Sequence, residues 1–177
     1  MRELMGADPE VEIIWKAFEL RPEPIPTLDS RGDYITHAWK HSVYPLAERL
    51  GMTMRLPPVQ PRSKRAHEAA HWARTQGRFD DYHKAVFRAF FERGEDIGQL
   101  EVLIRLASDL GLDEVGLREA LESREFEASV LNDEREAAEW RVSGVPAFVA
   151  DRRMARSGVQ SVEALQQLVG RARSLPN

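Results

Sequence analysis

The rhythm of apolar and polar positions changes three times along the chain. Val11-Glu12-Ile13-Ile14-Trp15-Lys16-Ala17-Phe18-Glu19-Leu20 is rich in β-branched and aromatic residues, and both of its alternating sets are partly apolar. That pattern predicts a strand covered on both faces. Arg21-Pro22-Glu23-Pro24-Ile25-Pro26 stops it, because three prolines remove ladder donors. The period then becomes helical. We expect a helix over 33–50, opened by Asp33 and ended by Gly51, then an extended stretch over 52–61, where Pro57, Pro58 and Pro61 exclude a helix. Ser63 opens a helix over 63–76 with Gly77 as its stop. The next, over 79–93, carries Tyr82, Val86, Phe87, Phe90 and Phe91 at the spacing of one buried stripe. Further helices are expected over 98–110, 113–122 and 124–141.

The last change restores a short period. Val145-Pro146-Ala147-Phe148-Val149-Ala150 reads as a strand opened by proline, Asp151-Arg152-Arg153 as a tight turn, and 154–157 as the return strand. Ser161 caps a terminal helix with Val162, Leu165, Leu168 and Val169 on one side. The order is strand, many helices, hairpin, helix, which is an α/β arrangement without internal repeats or low-complexity tracts.

Composition narrows the chemistry. A chain of 177 residues makes one domain of ordinary size. No run approaches the ~18 apolar residues of a membrane helix, and Met1-Arg2-Glu3-Leu4-Met5-Gly6 has no apolar core of a secretory signal. We therefore expect a cytoplasmic protein that does not engage membranes. A net charge of −4 argues against a general nucleic-acid binder. There is no cysteine, which excludes disulfides, thiolate metal sites and a cysteine nucleophile within these residues. No glycine-rich phosphate loop and no Gly-x-Ser-x-Gly is present. No cofactor is expected.

The histidines offer one chemical motif. His67-Glu68-Ala69-Ala70-His71 matches HExxH, in which two histidines one helical turn apart grip zinc and the glutamate polarises a water. A zinc hydrolase is thus an alternative function. Its third ligand is missing from the pattern: the metzincin extension needs Gly and His where Arg74 and Gly77 stand, and only the distant Glu92 or Glu95 could substitute. We assign no metal ligand. His37 and His41 form a second pair which, with Trp39, could line a pocket or sit at the boundary of an amphipathic helix. His83, beside Tyr82, fits a partly buried position. Trp15, Trp39, Trp72 and Trp140 read as core, and Glu134-Arg135-Glu136 as a solvated helix face.

Two separated segments carry a resemblance: Trp15-Lys16-Ala17-Phe18-Glu19-Leu20-Arg21-Pro22-Glu23-Pro24, and Val142-Ser143-Gly144-Val145-Pro146-Ala147-Phe148-Val149 followed by Arg156-Ser157-Gly158-Val159-Gln160. Between them, Gln76-Gly77-Arg78-Phe79-Asp80-Asp81-Tyr82-His83 leads to Phe90-Phe91 in the same manner. Together they resemble the DsbA-like branch of the thioredoxin superfamily and, within it, the FrnE-type dithiol–disulfide isomerase group. The resemblance implies a thioredoxin-like fold over 1–32 and 142–177, with 33–141 as a large helical insertion and connecting helix, in one compact unit. It implies that Gly144, Val145 and Pro146 form a cis-proline loop whose backbone edge pairs with a peptide or small thiol ligand.

The departure from the family is large. Its first strand and its Cys-x-x-Cys have no counterpart here, since residues 2–5 resemble the last turn of the helix that follows that motif. The resemblance thus implies a fold truncated at its first strand and a chain inactive in dithiol chemistry, serving as a binding or scaffold module. The alternative is an active oxidoreductase whose Cys-x-x-Cys segment lies upstream of the recorded start. The strand lost would be central, between 11–20 and 147–150, so unpaired backbone would remain. On that ground we expect a homodimer.

Overall fold

The computed structural model describes residues 1–176. In chain order its elements are α1 (Arg2–Ala7), α2 (Asp33–Ala38), a π-helical turn (Trp39–Val43), α3 (Tyr44–Arg49), α4 (Lys64–Thr75), α5 (Phe79–Phe91), α6 (Leu100–Asp109), α7 (Glu114–Glu122), α8 (Glu127–Glu139), β1 (Ala147–Ala150), β2 (Met154–Ser157) and α9 (Val162–Ser174). They divide into two compact units: residues 1–20 with the chain from 132 onward, and residues 21–131.

In the first unit β1 and β2 form an antiparallel hairpin, with Phe148 opposite Arg156 and Ala150 opposite Met154. Asp151 and Arg152 both adopt left-handed φ angles, 49° and 53°, and Arg153 N–H closes the turn on Ala150 O at 2.9 Å. Two left-handed residues suit the twist of a hairpin, although neither is glycine. Leu4 of α1 and Leu165 and Leu168 of α9 form the core, with Val11, Ile13, Phe148 and Ala150 packed on them. Ser161 caps α9, its Oγ accepting from Ala164 N–H at 3.2 Å.

Segment 11–20 is a correction to the expected strand. It joins no ladder, since the sheet among the described residues is β1 with β2. The β-forming side chains are present, but a strand exists only where a neighbouring backbone accepts its hydrogen bonds. Here those donors turn to side chains. Ala17 N–H reaches Asp133 Oδ2 at 2.9 Å and Glu19 N–H reaches Glu134 Oε1 at 3.4 Å.

The second unit is helical. Buried alanines on α4 (Ala66, Ala69, Ala73) allow close approach, and Trp72, Tyr82, Leu103, Leu106 and Leu117 fill the space around them. Tyr82 donates its hydroxyl to Leu103 O at 2.9 Å, and burial pushes its ionisation up. Asp113 caps α7 by accepting from Val115 and Gly116 N–H at 3.1 Å. The helix expected over 33–50 is continuous from Asp33 to Arg49 but passes through the π turn at Trp39–Val43. Pro45 lies just beyond; it has no N–H to give to a carbonyl one turn back, and a wider turn accommodates the loss. Gly32, not Asp33, occupies the cap position. Phe87 leaves the stripe expected for α5 and is exposed. It belongs to a ladder of neighbouring rings, Phe79 stacked on His83 at 5.0 Å, then His83 to Phe87 at 4.7 Å and Phe87 to Phe91 at 5.7 Å, both tilted.

Glu68 is the costly residue of this unit. It is 3% exposed, and its Oε2 accepts no hydrogen bond among the described residues. Burial raises its pKa above the usual carboxylate value, against the weaker opposite pull of Lys64. A carboxyl whose folded pKa is raised contributes stability below its unfolded pKa and loses it as pH rises through the folded one. We expect Glu68→Gln to be more stable than the parent at neutral pH, because the amide carries no charge to desolvate. Thermal melts between about pH 4 and pH 8 check it: the gap between the two proteins should open as pH rises.

Candidate functional site

The glycine–valine–proline entry to β1 stands at the open side of the hairpin. The Val145–Pro146 peptide is cis. Val145 and Pro146 are exposed, and nothing lies within 4 Å of where a Cβ on Gly144 would sit. Gly158 N–H donates to Pro146 O at 2.8 Å, which sets the phase of the ladder. Bonded pairs alternate in an antiparallel ladder, so Phe148 and Ala150 exchange bonds with β2. Ala147 and Val149 turn their N–H and C=O to the outer edge, where no strand lies among the described residues. The site therefore offers main-chain donors and acceptors beside exposed apolar side chains.

A charge network holds the neighbouring segment. Asp133, on the part of α8 within the first unit, is 4% exposed. Its Oδ1 accepts from Lys16 Nζ at 2.9 Å while Oδ2 takes the Ala17 N–H. Lys16 also reaches Glu136 at 3.0 Å, and Glu136 accepts from Arg152 of the hairpin turn at 2.7 Å. The bond to Asp133 raises the Lys16 pKa despite partial desolvation. Lys16, and then Arg152, hold the Glu136 carboxyl below its ordinary value. The sequence pattern had placed this stretch of α8 on a solvated face. The available signal was Asp133 three residues after the fully buried Val130, which puts an acid on the helix's inner stripe.

The histidine motif does not assemble a metal centre. His67 and His71 share α4 with Glu68, but among the described residues no three histidine, cysteine, aspartate or glutamate side chains come together to hold a metal ion. Glu95 is engaged by Arg93 and Arg105. His37 and His41 lie 4.0 Å apart, ring to ring and tilted, on an exposed face, His41 Nδ1 bonding His37 O at 2.9 Å. Trp39 is buried against Tyr44 and Phe91, so the three rings line no common pocket. His83 is half-buried, and burial lowers its pKa.

The profile of the DSBA-like thioredoxin domain matches residues 1–170. The chain belongs to the DSBA-like thioredoxin family. It is 36% identical over 152 residues to uncharacterized protein YwbO of Bacillus subtilis (strain 168), covering 82% of this chain and 74% of that one. Among solved structures it is similar to a probable DsbA oxidoreductase, SCO1869 from Streptomyces coelicolor, with a TM-score of 0.80 and 25% identity over 99% of this chain and 82% of that chain. A 2-hydroxychromene-2-carboxylate isomerase shares the fold with a TM-score of 0.76 at 19% identity, over 96% of this chain and 85% of its own. In this DSBA-like chain no cysteine is present to perform dithiol chemistry. No helix among the described residues is long and apolar enough to cross a membrane.

Asp133 is the residue whose loss separates its two bonds. In Asp133→Ala the buried Ala17 N–H loses its acceptor, and we expect a loss of about 1–3 kcal/mol. In Asp133→Asn the amide oxygen can still accept that N–H while the ion pair with the half-exposed Lys16 is lost, so we expect a smaller loss than in Asp133→Ala. Denaturant titration of both variants checks the order.

Proposed function

We propose that this chain is a binding module of the DSBA-like family, in its FrnE-type group, that takes an extended peptide or a small thiol at the Gly144–Val145–Pro146 edge. The observation that carries the reading is the outer edge of β1. Ala147 and Val149 offer main-chain N–H and C=O groups beside the exposed Val145 and Pro146. A backbone edge of this kind is recognised by another backbone, through main-chain bonds for affinity and side-chain contacts for specificity. The absence of thiols in these residues means that any bound disulfide or thiol is held rather than exchanged by them.

The similarity to the Streptomyces coelicolor probable DsbA oxidoreductase is consistent with a thiol-bearing ligand. For this chain the electrons would have to come from thiols supplied by another segment or molecule. Tested alone, the 177-residue chain should not accelerate insulin reduction by dithiothreitol above background. Addition of a capped peptide of about six alternating valines and threonines with a lysine at each end, or of glutathione, should shift the amide resonances of Val145, Ala147, Phe148 and Val149. Catalysed reduction, or shifts confined to residues 21–131 for both probes, overturns the proposal.

A further inference from the structure

The helical unit carries a cleft that peptide binding at β1 does not use. It lies between α5 and α6 and has a volume of about 250 Å³. Its floor is apolar, formed by Ala85 of α5 and by Leu106 and Leu110 at the end of α6. Its rim is charged. Asp81 is held by Arg78 at 3.0 Å, Asp109 by Arg105 at 2.9 Å, and Arg93 is paired with Glu95. Lys84 and Arg88 complete the lining. Both are exposed, and neither has an ion pair or a side-chain hydrogen bond among the described residues. They stand one turn apart on α5, where like charges repel. The cleft thus keeps two uncompensated positive charges beside an apolar floor, in a chain whose net charge is −4.

We propose that this cleft binds a small phosphate monoester carrying one apolar ring, free in solution rather than part of a macromolecule. The proposal is independent of the β1 edge, and either can fail without the other. Two cations on neighbouring turns match a group of charge near −2, which a phosphate monoester carries at neutral pH and a single carboxylate does not. Arg88 offers a guanidinium fork for two phosphate oxygens, and Lys84 adds a point charge. The floor calls for an apolar body, because a bare anion would leave Ala85, Leu106 and Leu110 against water. Size sets the upper limit. Clefts that take drug-sized ligands begin at ~300 Å³, so this one holds a single ring with its anionic group. Asp81 and Asp109 favour a compact ligand over a polyanion. An extended acidic peptide or nucleic acid would run past both carboxylates, whereas a single phosphate meets only Lys84 and Arg88.

The test titrates the 177-residue chain with phenyl phosphate, inorganic phosphate and phenol, read by amide resonances. We expect saturable one-to-one binding of phenyl phosphate with a Kd of about 1 mM or tighter, as befits so small a ligand. The shifts should fall at Lys84, Ala85, Arg88, Leu106 and Leu110. Inorganic phosphate and phenol each lack one half of the ligand and should bind at least about fivefold more weakly. Lys84→Ala and Arg88→Ala should each weaken phenyl phosphate about threefold to tenfold, and the double variant more. Both positions are exposed, so the variants should keep the parent's thermal midpoint. Raising the salt from about 0.02 M to about 0.5 M should weaken binding to the parent far more than to the double variant. The proposal is overturned if phenyl phosphate does not saturate by about 10 mM, if inorganic phosphate or phenol binds as well, or if neither variant weakens binding. A capped phosphotyrosine peptide that binds more than about tenfold tighter than phenyl phosphate would make a protein the partner and overturn it too.

Discussion

Every main-chain donor removed from water must find an acceptor, and in this protein that requirement is met in an unusual way at segment 11–20. Its Ala17 and Glu19 N–H groups go to carboxylates of α8 rather than to a strand. The arrangement is stable because the buried Asp133 is balanced by Lys16, and Glu136 by Lys16 and Arg152. A carboxylate has more acceptor capacity than a carbonyl, so one side chain serves a backbone group and a cation together. The consequence, among the described residues, is a segment tied along one side to α8. Among the described residues β1 pairs with β2.

The second unit is built by different means. Small residues on α4 admit close neighbours, and the Tyr82 hydroxyl closes on a backbone carbonyl within the core. Its HExxH motif is an accident of an alanine-rich helix that alternates inner and outer positions. Glu68 falls on the inner side, buried with one oxygen unpaired, and among the described residues no third ligand joins His67 and His71. The aromatic ladder on α5 arises from the same helical geometry, because residues four apart stack along one face whether or not the core has room for them.

Much of the helical architecture was legible in the sequence, and the reason is local. Ser161, Asp113 and Gly77 act on their own turns, and the stripes of α5 and α9 repeat within a few residues. The family was legible too, through the Gly144-Val145-Pro146 entry and the residues that follow β2. The π turn before Pro45 was not, because a proline announces a lost donor without saying whether the helix ends or widens. The tethering role of α8 was not legible either, for a different reason. Charge alternation in Glu134-Arg135-Glu136 looks the same on a solvated face and on one that feeds a neighbour's backbone.

What the sequence determined by itself was the set of segments able to be helix or strand, the breaks between them, and the lack of thiol chemistry within these residues. Hydrophobic period, capping and proline act over a turn or two, and composition needs no structure. Tertiary structure alone decided that segment 11–20 would be a tethered edge rather than a strand. The deciding bonds join Lys16 and Ala17 to Asp133 across 117 and 116 positions of the chain. A strand is defined by what lies beside it, and no local pattern records which neighbour the fold will supply.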